Sequence, residues 1–367
     1  MKASIITLHA VKNYGSALQT YATQCLFEEM EFETEIVDYR RKALDSGNLF
    51  RILNNNTYGL LQKIKLILIS PSRKKATKVF GRFLEKHVNM TENSYYEETE
   101  ERDFKDYPID ADVYCTGSDQ VWNTGWHKEI PKPFFLNYAP DNKRIISFSA
   151  SFGKEQLDEW EKEPIKDLLS RYDYISVRES SAVTIVNNLG FSACEHVLDP
   201  TLAVSPKLWE ELATDRVLEG KYILVYQLNN NKEFDKYAKK LARKKGMKLV
   251  RLCTRYDQLR KTGRGIVLPE IVGFLSLFRD AEYIITDSFH ATAFSLIFNK
   301  KFIDILPGLY NTRLESILTL TGLEERVLRD YNDFDLIDIK IDYEKVNSIL
   351  NRERQNTMSF LEKATKI

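Results

Sequence analysis

Short apolar runs alternate with helix-period segments along most of the chain. In the first half the runs Ala3–Leu8, Glu35–Tyr39, Val113–Thr116, Ile145–Ala150, Tyr174–Val177 and His196–Leu198 read as strands. Ser16–Glu29, Leu157–Leu169 and Ser180–Leu189 read as helices between them. In the second half Tyr222–Leu228, Lys248–Leu252, Tyr283–Thr286 and Phe302–Ile305 read as strands, with helices at Lys232–Lys245, Glu270–Phe278, Ala291–Phe298 and Thr312–Leu320. Strands that are apolar on both faces and separated by helices belong to parallel sheets covered on both sides. Two such sets predict an α/β protein of two Rossmann-like, doubly wound domains facing a cleft. The expected division is 1–203, 204–340, and a tail helix over 341–367 that packs back across the first domain. The junction falls between Asp199-Pro200-Thr201 and Ser205-Pro206.

One region fits neither sheet and reads as a helical insertion near 48–105. Leu60–Ile69 is strongly apolar, and Pro71 is followed by Arg73, Lys74, Lys75, Lys78, Arg82 and Lys86. An apolar helix beside a basic one can lie on an anionic membrane surface. The same pattern also suits an insertion with a solvated charged face, and both readings stay open.

Composition narrows the function without choosing it. The 367 residues suit two domains. Lys and Arg total 53, as do Asp and Glu, so the balanced charge argues against a nucleic-acid binder held by phosphate contacts. Cys25, Cys115, Cys194 and Cys253 are isolated, so neither a zinc site nor a redox pair has local support. Reduced thiols, an N-terminus without a signal-peptide pattern, and no apolar stretch of spanning length lead to an expected cytoplasmic location, peripheral at the inner face of the membrane if 60–86 touches lipid.

Ligands of doubly wound sheets bind beyond the carboxyl ends of the strands, so the residues there are the informative ones. Asp287-Ser288-Phe289-His290 sits between a strand run and a helical run, with Asp287 or Ser288 as the expected N-cap. A helix N-terminus favours anions, and a histidine there exchanges protons near neutral pH. Gly117-Ser118-Asp119-Gln120-Val121-Trp122-Asn123 follows another strand and offers polar groups for sugar hydroxyls, with Trp122 for a sugar face. Asn13-Tyr14-Gly15 occupies the first βα turn. Arg178 and Arg313 follow strands and can grip carboxylate or phosphate. Alternatively, Arg178 forms an ion pair with Glu179 or Glu195. The chain lacks G-x-G-x-x-G and G-x-x-x-x-G-K-[ST], so nicotinamide and nucleotide-hydrolysis chemistry lose their usual markers. Asp110-Ala111-Asp112 precedes a strand and reads as a surface turn.

Taken together, Asn13-Tyr14-Gly15 with Leu18-Gln19, Gly117–Asn123, Ser176-Val177-Arg178-Glu179, Asp199-Pro200-Thr201 and Thr286–His290 resemble the motifs of polysaccharide pyruvyl transferases, over residues from about 5 to 325. The resemblance implies a GT-B-like fold. It also implies transfer of pyruvate from phosphoenolpyruvate to two hydroxyls of a sugar as a cyclic ketal, in a bacterial surface polysaccharide or its lipid-linked precursor. By resemblance His290 is the essential histidine and Arg178 a donor arginine. Many relatives carry Arg-Leu-His where this chain has Ser288-Phe289-His290, so a donor arginine is missing there and Arg313 is the candidate replacement. On this reading His290 moves protons, and Asp119 orients a hydroxyl or acts as a second base. Arg178, Arg313, Ser288 and Asp287 hold the donor. Asn13, Tyr14, Gly15, Gly117, Ser118, Gln120, Trp122 and Asn123 hold the acceptor. Neither metal nor cofactor is expected. Two other readings remain: a nucleotide-sugar glycosyltransferase of the same architecture, and a non-catalytic sugar-binding protein of a polysaccharide pathway.

Overall fold

The computed structural model describes residues 1–41, 59–127, 129–213, 215–308 and 311–366. Its first sheet has seven parallel strands in the order β3-β2-β1-β4-β5-β6-β7. These are β1 (Lys2–Ile6), β2 (Glu33–Arg40), β3 (Met90–Tyr96), β4 (Val113–Thr116), β5 (Arg144–Ala150), β6 (Tyr174–Val177) and β7 (Glu195–His196). The second sheet has five parallel strands in the order β10-β9-β8-β11-β12. They are β8 (Tyr222–Tyr226), β9 (Lys248–Cys253), β10 (Arg264–Val267), β11 (Tyr283–Thr286) and β12 (Lys301–Asp304). Each sheet reverses its strand order once, beside β1 and beside β8, and those are the positions where doubly wound folds bind ligands. The helices that matter below are α1 (Tyr14–Glu29), α2 (Leu60–His87), α3 (Glu159–Leu169), α4 (Ser180–Asn188), α5 (Pro200–Ala203), α6 (Lys232–Lys245), α7 (Ile271–Asp280), α8 (Phe289–Ile297), α9 (Thr312–Thr321) and α10 (Tyr343–Thr365).

Local chemistry explains the boundaries. Asn13 caps α1 by accepting from the Gly15 N–H at 2.8 Å. Asp158 and Glu161 form a capping box at α3, which therefore begins at Glu159 and not at Leu157. α6 is capped by Asn231 and stops at Gly246, whose φ of +62° ends the helix at little steric cost. β11 and α8 are buried along their whole length, which accounts for their continuous hydrophobicity.

The expected insertion is only partly helical. Its start, 48–58, lies outside the described residues, as do the side chains of 60–63 and 65. α2 runs unbroken through Pro71, which is exposed. The chain then returns as β3, which pairs with β2 and forms the edge of the sheet. β3 and β10 escape hydropathy reading because both are edge strands with few fully buried side chains.

The two sheets share a core. One continuous apolar cluster runs from Ile5, Leu18 and Leu26 through Trp209 to Leu224, Phe274 and Phe294, and on to Val346 and Leu350 of α10. α10 begins against the second half, where the Tyr343 hydroxyl donates to the Lys300 carbonyl. It ends on the first, where Arg144 donates to the Lys366 carbonyl at 2.8 Å. Midway, the Leu198 N–H donates to Thr357 Oγ1 at 3.1 Å in a fully buried setting. Thr357→Val keeps the shape and strands that N–H, which costs about 1–2 kcal/mol. The expected result is a melting midpoint lower by a few degrees, read by calorimetry, with the far-UV spectrum unchanged.

Candidate active site

The carboxyl ends of both sheets open on one cleft of about 330 Å³. The first half contributes Asn13, Ser16, Asp119 and Gln120 to its wall. Asp287, Ser288, Phe289, His290 and Arg313 come from the second half. The strand-end rule therefore brings together most of the expected polar residues, from turns far apart in the chain.

His290 lies in the first turn of α8, with its imidazole buried against α1. A Cβ on Gly15 would stand 2.0 Å from His290 Nδ1 and 2.5 Å from Cε1. Position 15 is thus glycine because the imidazole of the other half occupies the space of a side chain. Nε2 is buried without a hydrogen-bond partner, and the nearest carboxylate oxygen, Asp199 Oδ2, is 3.8 Å away. Burial pulls the imidazole pKa below its ordinary value. Asp199 and Asp119 oppose that fall, and Arg178 and Arg313 add to it. His290 is therefore neutral at pH 7 and able to accept a proton.

Behind the histidine lies a buried ionic cluster. Arg178, at the end of β6, has a fully buried side chain. Its Nη2 donates to Asp119 Oδ1 at 3.0 Å and its Nη1 to Asp199 Oδ2 at 2.7 Å. Glu179 stands 3.8 Å from its Nε, and the Phe289 ring lies over the guanidinium at 5.0 Å. Ser16 Oγ donates to the other Asp119 oxygen at 2.6 Å. Burial alone would raise both aspartates. For Asp119, Arg178 and then His290 outweigh it and hold the carboxyl well below the usual range. For Asp199, His290 and Arg178 do the same. Asp119 adopts φ +72° and the neighbouring Ser149 +56°, conformations that cost non-glycine residues of order 1–3 kcal/mol. The ion pairs hold Asp119 in that conformation.

Arg313, near the start of α9, differs from Arg178. Among the described residues no carboxylate lies within ion-pair distance of it, and its Nε is unpartnered. The Gln120 amide, oriented with its oxygen inward, accepts from Nη1 at 3.1 Å and Nη2 at 2.6 Å. Burial, and next the charge of Arg178, lower its pKa to about 10, so it remains a cation at neutral pH. α8 opens at Ser288 without a side-chain cap, leaving its first-turn N–H groups without a side-chain acceptor. The N-termini of α1 and α8 and the Arg313 guanidinium thus meet at one cavity, an arrangement suited to a small ligand with more than one anionic group.

Several expected ligand-binding residues have other work. Arg178 gives both Nη groups to aspartates and lies under Phe289, and it is absent from the cleft wall. Trp122 is fully buried, stacked on Phe135 at 5.2 Å with its Nε1 donating to the Phe134 carbonyl, and has no face for a sugar. Tyr14 is fully buried, stacked on Phe274 at 4.3 Å, and its hydroxyl donates to the Pro269 carbonyl at 2.7 Å. It joins the halves. Gly117 packs on Thr7 and Ile5, where a Cβ would come within 3.1 and 3.2 Å. Ser118 turns inward to Ser149 and Asp199, and Asn123 is buried against Gln120. Asp287 lines the cleft, but its carboxylate accepts from the Leu228 and Asn229 N–H groups at 2.7 and 2.8 Å, so it anchors that loop. Of the acceptor set, Asn13 and Gln120 face the cavity and Gly15 seats the histidine. Ser16 and Asp199 were not expected in the site. Ser16 looked like an ordinary first-turn residue, and Asp199 stood out only as part of the Asp199-Pro200-Thr201 motif at the junction; proximity alone places them beside the cleft and the imidazole. Among the described residues no group of histidine, cysteine and carboxylate side chains is arranged to hold a metal.

Residues 13–306 match the model of a family described as polysaccharide pyruvyl transferase. No curated protein matches the sequence significantly. Among solved structures, UGT89C1 of Arabidopsis thaliana, complexed with UDP-L-rhamnose, is 8% identical, with a TM-score of 0.53 over 100% of this chain and 99% of that one. UDP-GlcNAc 2-epimerase of Neisseria meningitidis, bound to UDP-GlcNAc, is 14% identical, with a TM-score of 0.51 over 99% of this chain and 100% of that one. At these identities the likeness concerns the fold, which is that of GT-B-type epimerases and glycosyltransferases.

The close seat of the imidazole gives a sharp expectation. Gly15→Ala forces His290 or α1 to move, since the added carbon overlaps the ring. The variant folds with an unchanged far-UV spectrum, yet its turnover falls by about 100-fold or more, the scale on which misplacing a catalytic group by an ångström acts. Turnover within twofold of the parent would mean that the imidazole does not work from this seat.

Proposed function

The chain belongs to the polysaccharide pyruvyl transferase family, and from that premise we propose that it moves pyruvate from phosphoenolpyruvate onto two hydroxyls of a sugar, forming a cyclic ketal and releasing phosphate. The observation that carries this reading is a neutral, buried His290 beside a cation without a carboxylate partner, between two helix N-termini. The donor's phosphate and carboxylate match the cationic side of the cleft. Arg313 and the first turn of α8 at Ser288 hold the donor. Asn13 and Gln120 face the acceptor, and Asp119, with both oxygens engaged, orients and does not exchange protons.

The chemistry needs one proton delivered to the donor's methylene carbon and two removed from sugar hydroxyls. His290 takes the first hydroxyl proton and passes it to the methylene, which becomes the methyl group with the electrons of the C=C bond, as that oxygen bonds to the central carbon. The C–O bond to phosphate breaks, the second hydroxyl adds, and its proton leaves with the phosphate. Arg313 and the α8 N-terminus stabilise charge that grows on the departing phosphate. This scheme uses no cofactor.

A peripheral contact with anionic lipid belongs to the same reading, because it would bring a lipid-linked acceptor to the cleft. Ile64, Ile67 and Leu68 of α2 are 46%, 39% and 73% exposed. At helical spacing the exposed Lys74, Lys78 and Lys86 continue that face. None of the described helices is long and apolar enough to cross a membrane.

Two experiments test these statements. Purified protein with phosphoenolpyruvate and a panel of galactosides and N-acetylhexosamines should release phosphate only when a suitable acceptor is present. His290→Ala should fold and release none, and Arg313→Ala should raise the donor KM about tenfold or more, as loss of a charge-assisted contact implies. Nucleotide release from a nucleotide sugar, or binding without turnover, would replace the reading. For the membrane contact, sedimentation with vesicles containing phosphatidylglycerol should retain the parent protein and lose the Lys74→Glu/Lys78→Glu/Lys86→Glu variant. Equal retention of both refutes it.

A further inference from the structure

Asp199 ends the segment after β7 and caps α5, accepting from the Thr201 N–H at 3.0 Å and Thr201 Oγ1 at 2.6 Å through Oδ1. Its other oxygen takes Arg178 Nη1 and Ser118 Oγ, the latter at 3.2 Å, and faces His290 Nε2 at 3.8 Å.

The two nitrogens of the imidazole are in unlike places. Nε2 is buried without a partner and looks at an anionic oxygen. The edge carrying Nδ1 lies over Gly15 at the mouth of the first βα turn. A neutral imidazole bears one N–H, and the other nitrogen presents a lone pair. A lone pair aimed at a carboxylate oxygen is repelled, whereas an N–H there is attracted. We propose that Asp199 is a positioning residue: it holds His290 in the Nε2–H tautomer, so that Nδ1 is the atom that gives and takes the proton. The tautomer stands on geometry alone; the fate of the proton rests on the pyruvyl-transfer reading.

In that reaction a hydroxyl O–H breaks and an Nδ1–H bond forms, while Nε2 keeps its hydrogen and draws closer to Asp199 Oδ2. The Nδ1–H then breaks as the proton passes to the donor's methylene carbon, and the ring returns to neutral. Among the described residues, four charged groups act on the imidazole: Asp199 from the turn before α5, Asp119 from the turn after β4, Arg178 from the end of β6 and Arg313 from α9. Arg178 is shared between the two aspartates. Removing the charge of Asp199 therefore deprives the imidazolium of its nearest anion and leaves Arg178 half-paired, and both effects oppose protonation. The base works while unprotonated, so activity is present above the His290 pKa and lost as pH falls through it. A lower pKa moves that acid limb to lower pH.

The experiment is nitrogen-15 NMR of the full chain with labelled histidine, His290 being identified by the signals lost in His290→Gln. The neutral ring should show a protonated Nε2 and a bare Nδ1; the opposite assignment overturns the proposal without any variant of Asp199. In Asp199→Asn the His290 titration should fall by about one pH unit or more, the scale of an opposite charge at this range. The acid limb of kcat should move with it, while the donor KM stays within a few-fold. A variant with lower kcat but an unmoved titration and acid limb would make Asp199 a helix cap only, against the proposal. Should the parent protein release no phosphate from phosphoenolpyruvate, the pyruvyl-transfer reading fails, and the tautomer and titration still decide the role of Asp199.

Discussion

The Arg178 guanidinium, held between Asp119 and Asp199 without contact with solvent, is the interaction on which the rest of the cleft depends. A buried guanidinium is costly unless its donors are matched, and removing one partner of such a group costs about 3–5 kcal/mol. The cluster ties the ends of β4 and β6 to the turn before α5, and so fixes the spacing of three loops that would otherwise be independent. It also keeps Asp119 at a positive φ that an unrestrained aspartate would leave. Two further features follow from the same accounting of charge. His290 sees two anions already shared with a cation, and burial then keeps its ring neutral. Because both aspartates are committed to Arg178, neither is left for Arg313, which among the described residues is the arginine that lines the cleft.

A cleft in this fold can be a gap between two rigid bodies, but here it is a seam in a shared core. Tyr14 crosses the seam to Pro269 and Phe274. α2 crosses it at Lys75, which donates to the Val267 carbonyl at 2.7 Å, and at the Arg82–Glu270 ion pair. α10 spans the halves from Tyr343 to Lys366. His290 belongs to the second half and its seat, Gly15, to the first. Closing the halves and seating the imidazole are therefore the same event. A relative rotation that opened the seam would remove the imidazole from Gly15 before it disturbed either sheet.

The sequence was most legible where period and position agree. Buried parallel strands are continuous apolar runs, so most strands of both sheets, and the turns that follow them, could be located within a few residues. That placed His290, Asp119, Gln120, Asn13 and Arg313 at one cavity. The edge strands β3 and β10 were illegible because few of their side chains are buried. Residue type failed at a different point. Trp122, Tyr14 and Arg178 carry the chemistry of a binding site, yet one strand-end position apart the same side chain faces either the cleft or the core. Nothing in the alternation of polar and apolar residues distinguishes the two. Asp199 and Ser16 were missed for the converse reason: their partners lie 91 and 103 residues away, and only folding brings them within contact.

Ser288 stands where the resemblance to pyruvyl transferases leads one to expect an arginine, and the cleft carries positive charge without one. As the N-cap of α8, position 288 lies at the positive end of a helix whose first turn has no side-chain acceptor. A guanidinium there would add to a charge the backbone already supplies in part. Arg313 enters the same cavity from α9, steadied by Gln120 and not by a carboxylate, so that its charge is not cancelled. An arginine at 288 would stand at the start of the very turn that carries His290, and would lower further the proton affinity of a ring that burial already depresses. Supplying the cation from α9 leaves the first turn of α8 to the neutral histidine and its N–H groups. The separation therefore changes what the imidazole experiences as well as where the positive charge of the cleft lies.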